Sequence, residues 1–469
     1  MSENLTLSPN LKSTRLGFRL FRHKYVWLAL TPFILMLVFF GYRGFQEWRA
    51  DQAIQQQIAQ WDKAGVPYDN DTLQMSYVKG TFPEGLADWD RVIRLTAWGS
   101  RTKSYSQLPY LGSEGKPPEV LVPDDNNDQW ADEALVAGYL DEMQPVIDLI
   151  EQASTHPTPV RFPMHFQGFN TLLPHIQSSR SIARILWLDC DYAYSKNNTQ
   201  RALRDLSLMQ STIDAFESRD FLVSLLVTNA IHGMRLRSVR RTLTHCVWDE
   251  SQLAALRESM SADEDIVAPF REALSKERAL SFVSLKEAES LKEIYGLTGQ
   301  SKRVANDSIL PSDLLLLIEQ YNKLIAAGDG SILQWIKRAE ELERQFNADH
   351  SNSIAAMLLP ATQQCIGASI RLEQTRRWTL TAIALRQYQQ QHGSWPQQLS
   401  DLEAVGLKFA DYSNLKGEMF GYEVDGETVY LWQDDTNNGE GPISSTRPIE
   451  KKEGGMSLEH YLLELHARL

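Results

Sequence analysis

The longest uninterrupted apolar run in the chain lies near its amino terminus. Residues 25–42 read YVWLALTPFILMLVFFGY and carry no charge between Lys24 and Arg43. At 1.5 Å per residue, a helix of this length covers about 27 Å, close to the thickness of a bilayer's hydrocarbon core. Aromatic rings near both ends of the run suit the membrane–water interface. The pattern predicts a single N-terminal transmembrane helix.

A cleaved signal peptide and a buried core helix are the competing interpretations of this run. The run is longer than the apolar core of a signal peptide. The sequence GYRGF at residues 41–45 offers no small-residue cleavage site. We therefore favour an uncleaved anchor.

Beyond the anchor, apolar residues recur at steps of three or four over most of the chain, which is the helical period. Residues 45–64 form one such pattern, and residues 175–209 predict a helical hairpin with small residues at its crossing point. Other amphipathic helices are predicted over 131–153, 219–244, 250–260, 263–294, 313–326, 331–347 and 351–392. The fold class is therefore mainly α.

The C-terminal part of the chain has a different pattern. Residues 419–433 contain two β-prone runs around Asp425-Gly426, which is a strong signal for a β-hairpin. A last helix is predicted from Ser457, because leucines at 458, 462, 465 and 469 share one helical face. We expect a single N-terminal transmembrane helix, a large helical extracytoplasmic domain and a small C-terminal β-hairpin.

These patterns divide the chain into seven predicted parts. They are a basic cytoplasmic tail (1–24), the transmembrane helix (25–42), a juxtamembrane helix with an irregular segment (43–130), a helical domain (131–294), a polar linker (295–312), a second helical segment (313–392) and a C-terminal hairpin, loop and final helix (393–469).

Charge sets the expected orientation of the anchor. The tail before residue 25 carries five basic residues and one acidic residue, so the positive-inside rule leaves it in the cytoplasm. The whole chain has a net charge of −13, and residues 43–469 keep 42 of the 47 basic and 59 of the 60 acidic side chains, a net charge of −17. An exported body this acidic is a poor match for nucleic acid or for an anionic lipid surface.

Residues 382–402 (AIALRQYQQQHGSWPQQLSDL) form a helix exit closed by a Gly-x-aromatic-Pro turn. The matching positions are Ala382, Leu385, Tyr388, Gly393, Trp395, Pro396, Leu399 and Leu402. This segment resembles the corresponding exit of type II secretion pseudopilins. It is also similar to a group of uncharacterised bacterial membrane-anchored helical proteins. The second resemblance implies an N-terminal anchor and a helical body; pilus assembly is not expected, because no pseudopilin processing site precedes the apolar run.

The Pro-broken segment 156–175 interrupts the helices and is the best candidate for a ligand pocket. Its rings and histidines, together with the following helix, suggest ligand-binding roles for His165, Phe166, His175 and Arg180. Aromatic residues that merely pack in the core are the alternative interpretation.

Calcium is the one cofactor that the sequence suggests. Asp434, Thr436 and Asn438 precede Gly439 with the spacing of an EF-hand loop, although position twelve is Ser445 rather than Glu. A second acidic loop at residues 124–128 lacks the turn glycine. Solvated turns remain the alternative at both places.

Three cysteines and one arginine run complete the candidate chemistry. Cys190, Cys246 and Cys365 permit one disulfide in an oxidising compartment, or act as buried small hydrophobic residues. The arginines at 235, 237, 240 and 241 spread over more than one helical face, which favours internal salt bridges over an anion site.

No complete catalytic motif occurs, so an enzyme is not the favoured interpretation. We expect a single-pass protein of the bacterial inner membrane, with its N-terminus in the cytoplasm and its bulk in the periplasm. Its expected role is protein interaction, as an accessory component of an envelope or secretion assembly. A membrane-tethered enzyme or small-molecule sensor that uses residues 156–175 is the alternative.

Overall fold

The protein is mainly α-helical, with a small antiparallel sheet near the C-terminus, as the sequence predicted. The computed structural model describes residues 13–99, 108, 110–111, 130, 132–217, 221–260, 267–288, 309–350, 353–359, 362–434 and 460–466. Among these residues, no helix combines the length and the apolar character needed to cross a membrane.

The helices follow one another along the chain with short connections. They are α1 (Ser13–Ala64), α2 (Asn70–Lys79), α3 (Leu86–Gly99), α4 (Glu133–Ala153), α5 (Pro174–Ser195), α6 (Thr199–Phe216), α7 (Leu222–His245), α8 (Glu250–Glu258), α9 (Val267–Glu287), α10 (Pro311–Ala327), α11 (Ile332–His350), α12 (Ile354–Leu358) and α13 (Thr362–His392).

Helix α2 lies in a segment that the sequence interpretation treated as irregular. It begins at a capping box, in which Asp69 accepts a hydrogen bond from the Thr72 backbone N–H at 2.8 Å and Thr72 Oγ1 accepts one from the Asp69 N–H. This reciprocal pair satisfies two backbone donors at the helix start. A short helix with only two buried apolar residues, Leu73 and Tyr77, leaves little periodic signal.

Two main hydrophobic cores hold the body together. The larger one joins α3–α7 to the second half of α13 and to the hairpin, and includes Trp89, Leu186 and Leu431. The second joins α9–α12 to the start of α13 and centres on Trp335 and Tyr321. Helix α13 therefore belongs to both cores, which the predicted boundary between two helical segments did not anticipate.

Helices α5 and α6 form the predicted helical hairpin. Ala193 and Ala202 are buried where the two helices meet, and Cys190 Sγ lies 3.8 Å from the Ala202 carbonyl oxygen. Asn197 takes a left-handed backbone conformation (φ 54°) in the turn, a conformation that asparagine tolerates. Small side chains at the crossing allow this close approach.

The predicted β-hairpin is also present. Strands β1 (Gly421–Asp425) and β2 (Thr428–Asp434) pair antiparallel, with Val424 opposite Val429. Gly426 takes the turn with φ 61°. At Gly421 the Trp432 ring packs so closely that an added Cβ would lie 2.1 Å from it.

The prediction of a final helix from Ser457 is wrong over the described residues. His460–His466 form strand β3, which pairs antiparallel with β2 and places Leu463 opposite Leu431. The leucine spacing fits a helix, but the open edge of β2 offers a row of backbone partners. Pairing with that edge outweighs the local pattern.

The helix exit after α13 follows the sequence interpretation. Gly393 ends α13 in the left-handed region (φ 72°), and its N–H donates to the Gln389 carbonyl at 2.8 Å. Trp395 then donates its indole N–H to the Glu427 carbonyl at 2.9 Å. Tyr422 donates to the Pro396 carbonyl at 2.6 Å, so this turn fastens α13 to the hairpin.

Candidate functional site

The first part of α1 presents an apolar surface with nothing packed against it. Every residue from 30 to 45 is exposed. Leu37 is 73% exposed and Phe33 67% exposed, and their neighbours on every side of the helix are apolar as well. A contiguous apolar surface of this kind marks a site that another apolar phase or partner covers.

The second part of α1 is built into the body. Ile54 and Trp61 are buried beside Phe282 and Ile318. The Arg278 guanidinium lies 4.1 Å from the centre of the Trp61 ring, a cation–π contact. Of the predicted apolar stripe of this helix, Phe45 and Trp48 instead stack on each other in the exposed part.

A carboxylate fixes the point where the exposed and docked parts meet. Glu47 accepts hydrogen bonds from both the backbone N–H and the hydroxyl of Ser312, each at 2.9 Å. Ser312 lies in the first turn of α10, where backbone N–H groups lack partners within the helix and favour negative charge. Glu47 thus caps a helix far away in sequence.

The four predicted ligand-binding residues do not converge on one site. Residues 160–168 alternate between the interior and the surface, so Phe166 is buried against Phe221 while His165 is exposed. The His175 ring is buried and stacks on Phe162, with ring centres 4.8 Å apart. Packing explains both buried rings.

Arg180, the fourth of these residues, lies on α5 and is half-buried. Among the described residues it makes no hydrogen bond or ion pair, and its Nε is shut off from solvent. It is the one predicted residue whose surroundings do not account for it.

A buried ion pair joins α5 to α7. Asp191 is fully buried, and its Oδ2 lies 2.9 Å from Arg241 Nη1. Tyr110 donates a short hydrogen bond to the same carboxylate, and Tyr194 bonds Arg241 at 2.6 Å. Sequence spacing gave no direct sign of this pairing, because Asp191 and Arg241 are 50 residues apart.

A second buried acidic pair lies one turn away. Arg201 and Arg204 both contact the buried Asp189, and Arg204 also contacts Asp205 at 3.1 Å. Burial, followed by the neighbouring Asp189, raises the pKa of Asp205 well above its usual range. Asp205 is therefore protonated at neutral pH and can share its proton with Asp189.

The arginine run on α7 is largely internal, as predicted. Arg241 makes the ion pair with Asp191, and Arg235 donates to the Leu206 carbonyl at 3.0 Å and to Ser259 Oγ at 2.7 Å. The Arg240 guanidinium lies 4.9 Å from the Trp378 ring centre.

The three cysteines are free and buried. Burial, with the carboxylates of α5 and α6 as a further cause, raises the pKa of Cys190 well above its usual range. Burial also raises the pKa of Cys365 to about 11. Protonated buried thiols act as small apolar groups, which agrees with the second of the two interpretations.

The predicted calcium loop falls almost wholly outside the described residues. Asp434 ends strand β2, while Thr436 and Asn438 lie beyond the described chain, as does the acidic loop at 124–128. In the part that the structure describes, no group of three or more His, Cys, Asp or Glu side chains could hold a metal ion.

Glu277 on α9 is the most perturbed acid in the second core. Its Oε2 accepts a hydrogen bond from the Leu222 N–H at 3.3 Å, at the start of α7, where the N-cap residue Phe221 provides no side-chain bond. Burial raises the pKa of Glu277 to about 7. Glu277 in turn adds to the effect of burial in raising the pKa values of Tyr321 and Cys365.

We expect Glu277 to make stability fall as pH rises from about 4.5 to 7, because the folded protein then holds a proton that the unfolded chain has released. Glu277→Gln should flatten this part of the pH profile. Free energies of unfolding in urea at pH 5, 6, 7 and 8 measure the effect. Glu287→Gln, at an exposed position of the same helix, is the control and should keep the wild-type slope. A profile unchanged by Glu277→Gln would contradict the assignment.

No protein-family model matches the chain, and neither curated proteins nor solved structures gave a match. The residues that carry the pseudopilin resemblance have structural work in the fold: Ala382 and Leu385 are buried in the larger core, and Trp395 anchors the hairpin.

Proposed function

We propose that the chain is a membrane-anchored protein whose exported helical body binds another protein beside the bilayer. One observation carries this proposal: the exposed apolar surface of α1 continues, without a break in the helix, into a segment docked on the body. Residues 25–42 supply the apolar length that a bilayer needs. The rings of Tyr42, Phe45 and Trp48 follow the run, where aromatic side chains favour the interface.

The proposed orientation rests on charge. The basic tail before residue 25 remains in the cytoplasm and the acidic body crosses to the periplasm of a bacterial cell. The docked half of α1 then holds the body close to the outer membrane–water interface, because Glu47 follows Tyr42 by only five residues.

The proposed role in protein interaction follows from this arrangement. A body held at one place beside the bilayer suits an accessory component of an envelope or secretion assembly. The candidate ligand-binding residues of segment 156–175 lie in separate surroundings, so no described contact favours the enzyme or sensor alternative.

The full chain fused at its C-terminus to alkaline phosphatase tests anchor and orientation together. We expect an active fusion that stays in the membrane pellet after alkaline carbonate extraction. Leu35→Arg with Leu37→Arg should abolish both properties, because each arginine near the centre of a transmembrane helix costs about 2.5–3.5 kcal/mol. Leu172→Arg is the matched control, since Leu172 is an exposed leucine of the body. A double variant that remains active and membrane-bound would overturn the proposal.

A further inference from the structure

Three arginines beside the contact between α5 and α7 stand outside any ion pair. Arg180 and Arg184 on α5 are half-buried, and Arg237 on α7 is exposed. In the described part of the chain, none of the three contacts a carboxylate or donates a hydrogen bond. Partly desolvated cations of this kind favour a counter-charge.

The rest of the body shows how this protein treats comparable arginines. Arg201 is paired with Asp189, Arg241 with Asp191, and Arg376 with Glu373 at 2.7 Å. Against that pattern the unpaired arginines of the α5–α7 surface are exceptions, and an acidic molecule from outside is the missing partner.

The geometry of α5 arranges these groups as a stripe. Arg180, Arg184 and Trp187 are separated by four and three residues, so they lie along one helical face over about 10 Å. The Arg237 guanidinium lies 5.7 Å from the centre of the Trp187 ring, which Tyr110 stacks on from 3.8 Å. Arg180 Nε and Trp187 Nε1 are both shut off from solvent and have no acceptor among the described residues.

We propose that this basic stripe, Arg180, Arg184, Trp187 and Arg237, binds a short acidic segment of a partner protein. The inference rests on the proposed role in protein interaction. Cations spread over about 10 Å match several carboxylates along a peptide better than one small anion. Arginine and tryptophan are also the side chains that contribute most at protein interfaces.

The charge of the body limits the size of this partner segment. At a net charge of −17, the exported part repels any large acidic surface. At physiological ionic strength charges further than about 8 Å apart are largely screened, so a short segment reaching the stripe is attracted by it. Binding should therefore weaken steeply as salt is raised above about 0.15 M.

Fluorescence anisotropy with a fluorescein-labelled deca-glutamate peptide and the detergent-solubilised full chain tests the proposal. We expect saturable binding that Arg180→Gln with Arg184→Gln weakens at least about tenfold, since two charge-assisted contacts are lost. Arg94→Gln with Arg344→Gln removes the same charge from exposed surface pairs and should change affinity less than about twofold. Inorganic phosphate serves as the competing small anion.

Three outcomes would overturn the proposal: no saturation up to about 1 mM peptide, equal weakening in both double variants, or displacement by phosphate at concentrations below the dissociation constant of the peptide. Carbonate extraction of the same variants separates this test from the anchor. Loss of peptide binding by a chain that remains in the membrane pellet leaves the anchor proposal standing and refutes or supports the stripe alone.

Discussion

Replacing Arg241 with alanine is expected to lower the free energy of unfolding by about 3–5 kcal/mol, because the variant leaves the Asp191 carboxylate buried without its ion pair. The lost hydrogen bonds to Tyr110 and Tyr194 add to this effect. Urea unfolding of the full chain in detergent, followed by tryptophan fluorescence, measures the change.

A second substitution distinguishes loss of charge balance from loss of packing. Asp191→Asn in the Arg241→Ala background should recover part of the stability, because a neutral amide needs no counter-charge. Arg94→Ala, which removes an exposed surface pair with Asp90, should change the free energy of unfolding by less than about 0.5 kcal/mol. A loss below about 1 kcal/mol for Arg241→Ala would show that water reaches Asp191.

Trp335→Ala should destabilise the second core by about 3–5 kcal/mol, as the deletion of a fully buried large side chain does. The ring lies edge-on to Phe270, with centres 5.1 Å apart, and its indole N–H donates to the Leu324 carbonyl at 2.9 Å. It also packs on the backbone of Gly328, where an added Cβ would lie 2.9 Å from the ring. The same urea titration provides the measurement.

Two further variants interpret that result. Trp335→Phe keeps most of the apolar volume and loses the hydrogen bond, so it should cost about 1–2 kcal/mol. Trp48→Ala removes an indole of equal size from the exposed part of α1 and should leave the body's unfolding transition in place. Comparable losses for Trp335→Ala and Trp48→Ala would mean that Trp335 does not organise the core.

Local pattern was sufficient to predict most helices and the β-hairpin. Residues 175–209 and Asp425-Gly426 carry their structural information within a few neighbours, as periodicity or as turn chemistry. Strand β3 was mistaken for a helix because its partner, β2, lies about thirty residues earlier in the chain. Pairing between distant segments leaves no local trace, so leucine spacing gave the wrong element.

The candidate sites were harder to predict for the same reason. Asp191 meets Arg241 across 50 residues, and Glu47 reaches Ser312 across 265. The sequence does carry a weak sign of the first contact: Asp189 and Asp191 flank Cys190 on a helix whose apolar positions surround them. Carboxylates so placed must be buried and paired, but only the fold shows which cations reach them.

The uninterrupted course of α1 fixes the rotational phase between its exposed and docked parts. Each residue of an α-helix turns the axis by about 100° and advances it by about 1.5 Å. One residue inserted between Arg43 and Glu47 would therefore swing the whole body about the helix axis by roughly a quarter turn or more, while hardly changing its distance from the anchor. The number of residues in this joint determines which side of the body faces a neighbouring molecule.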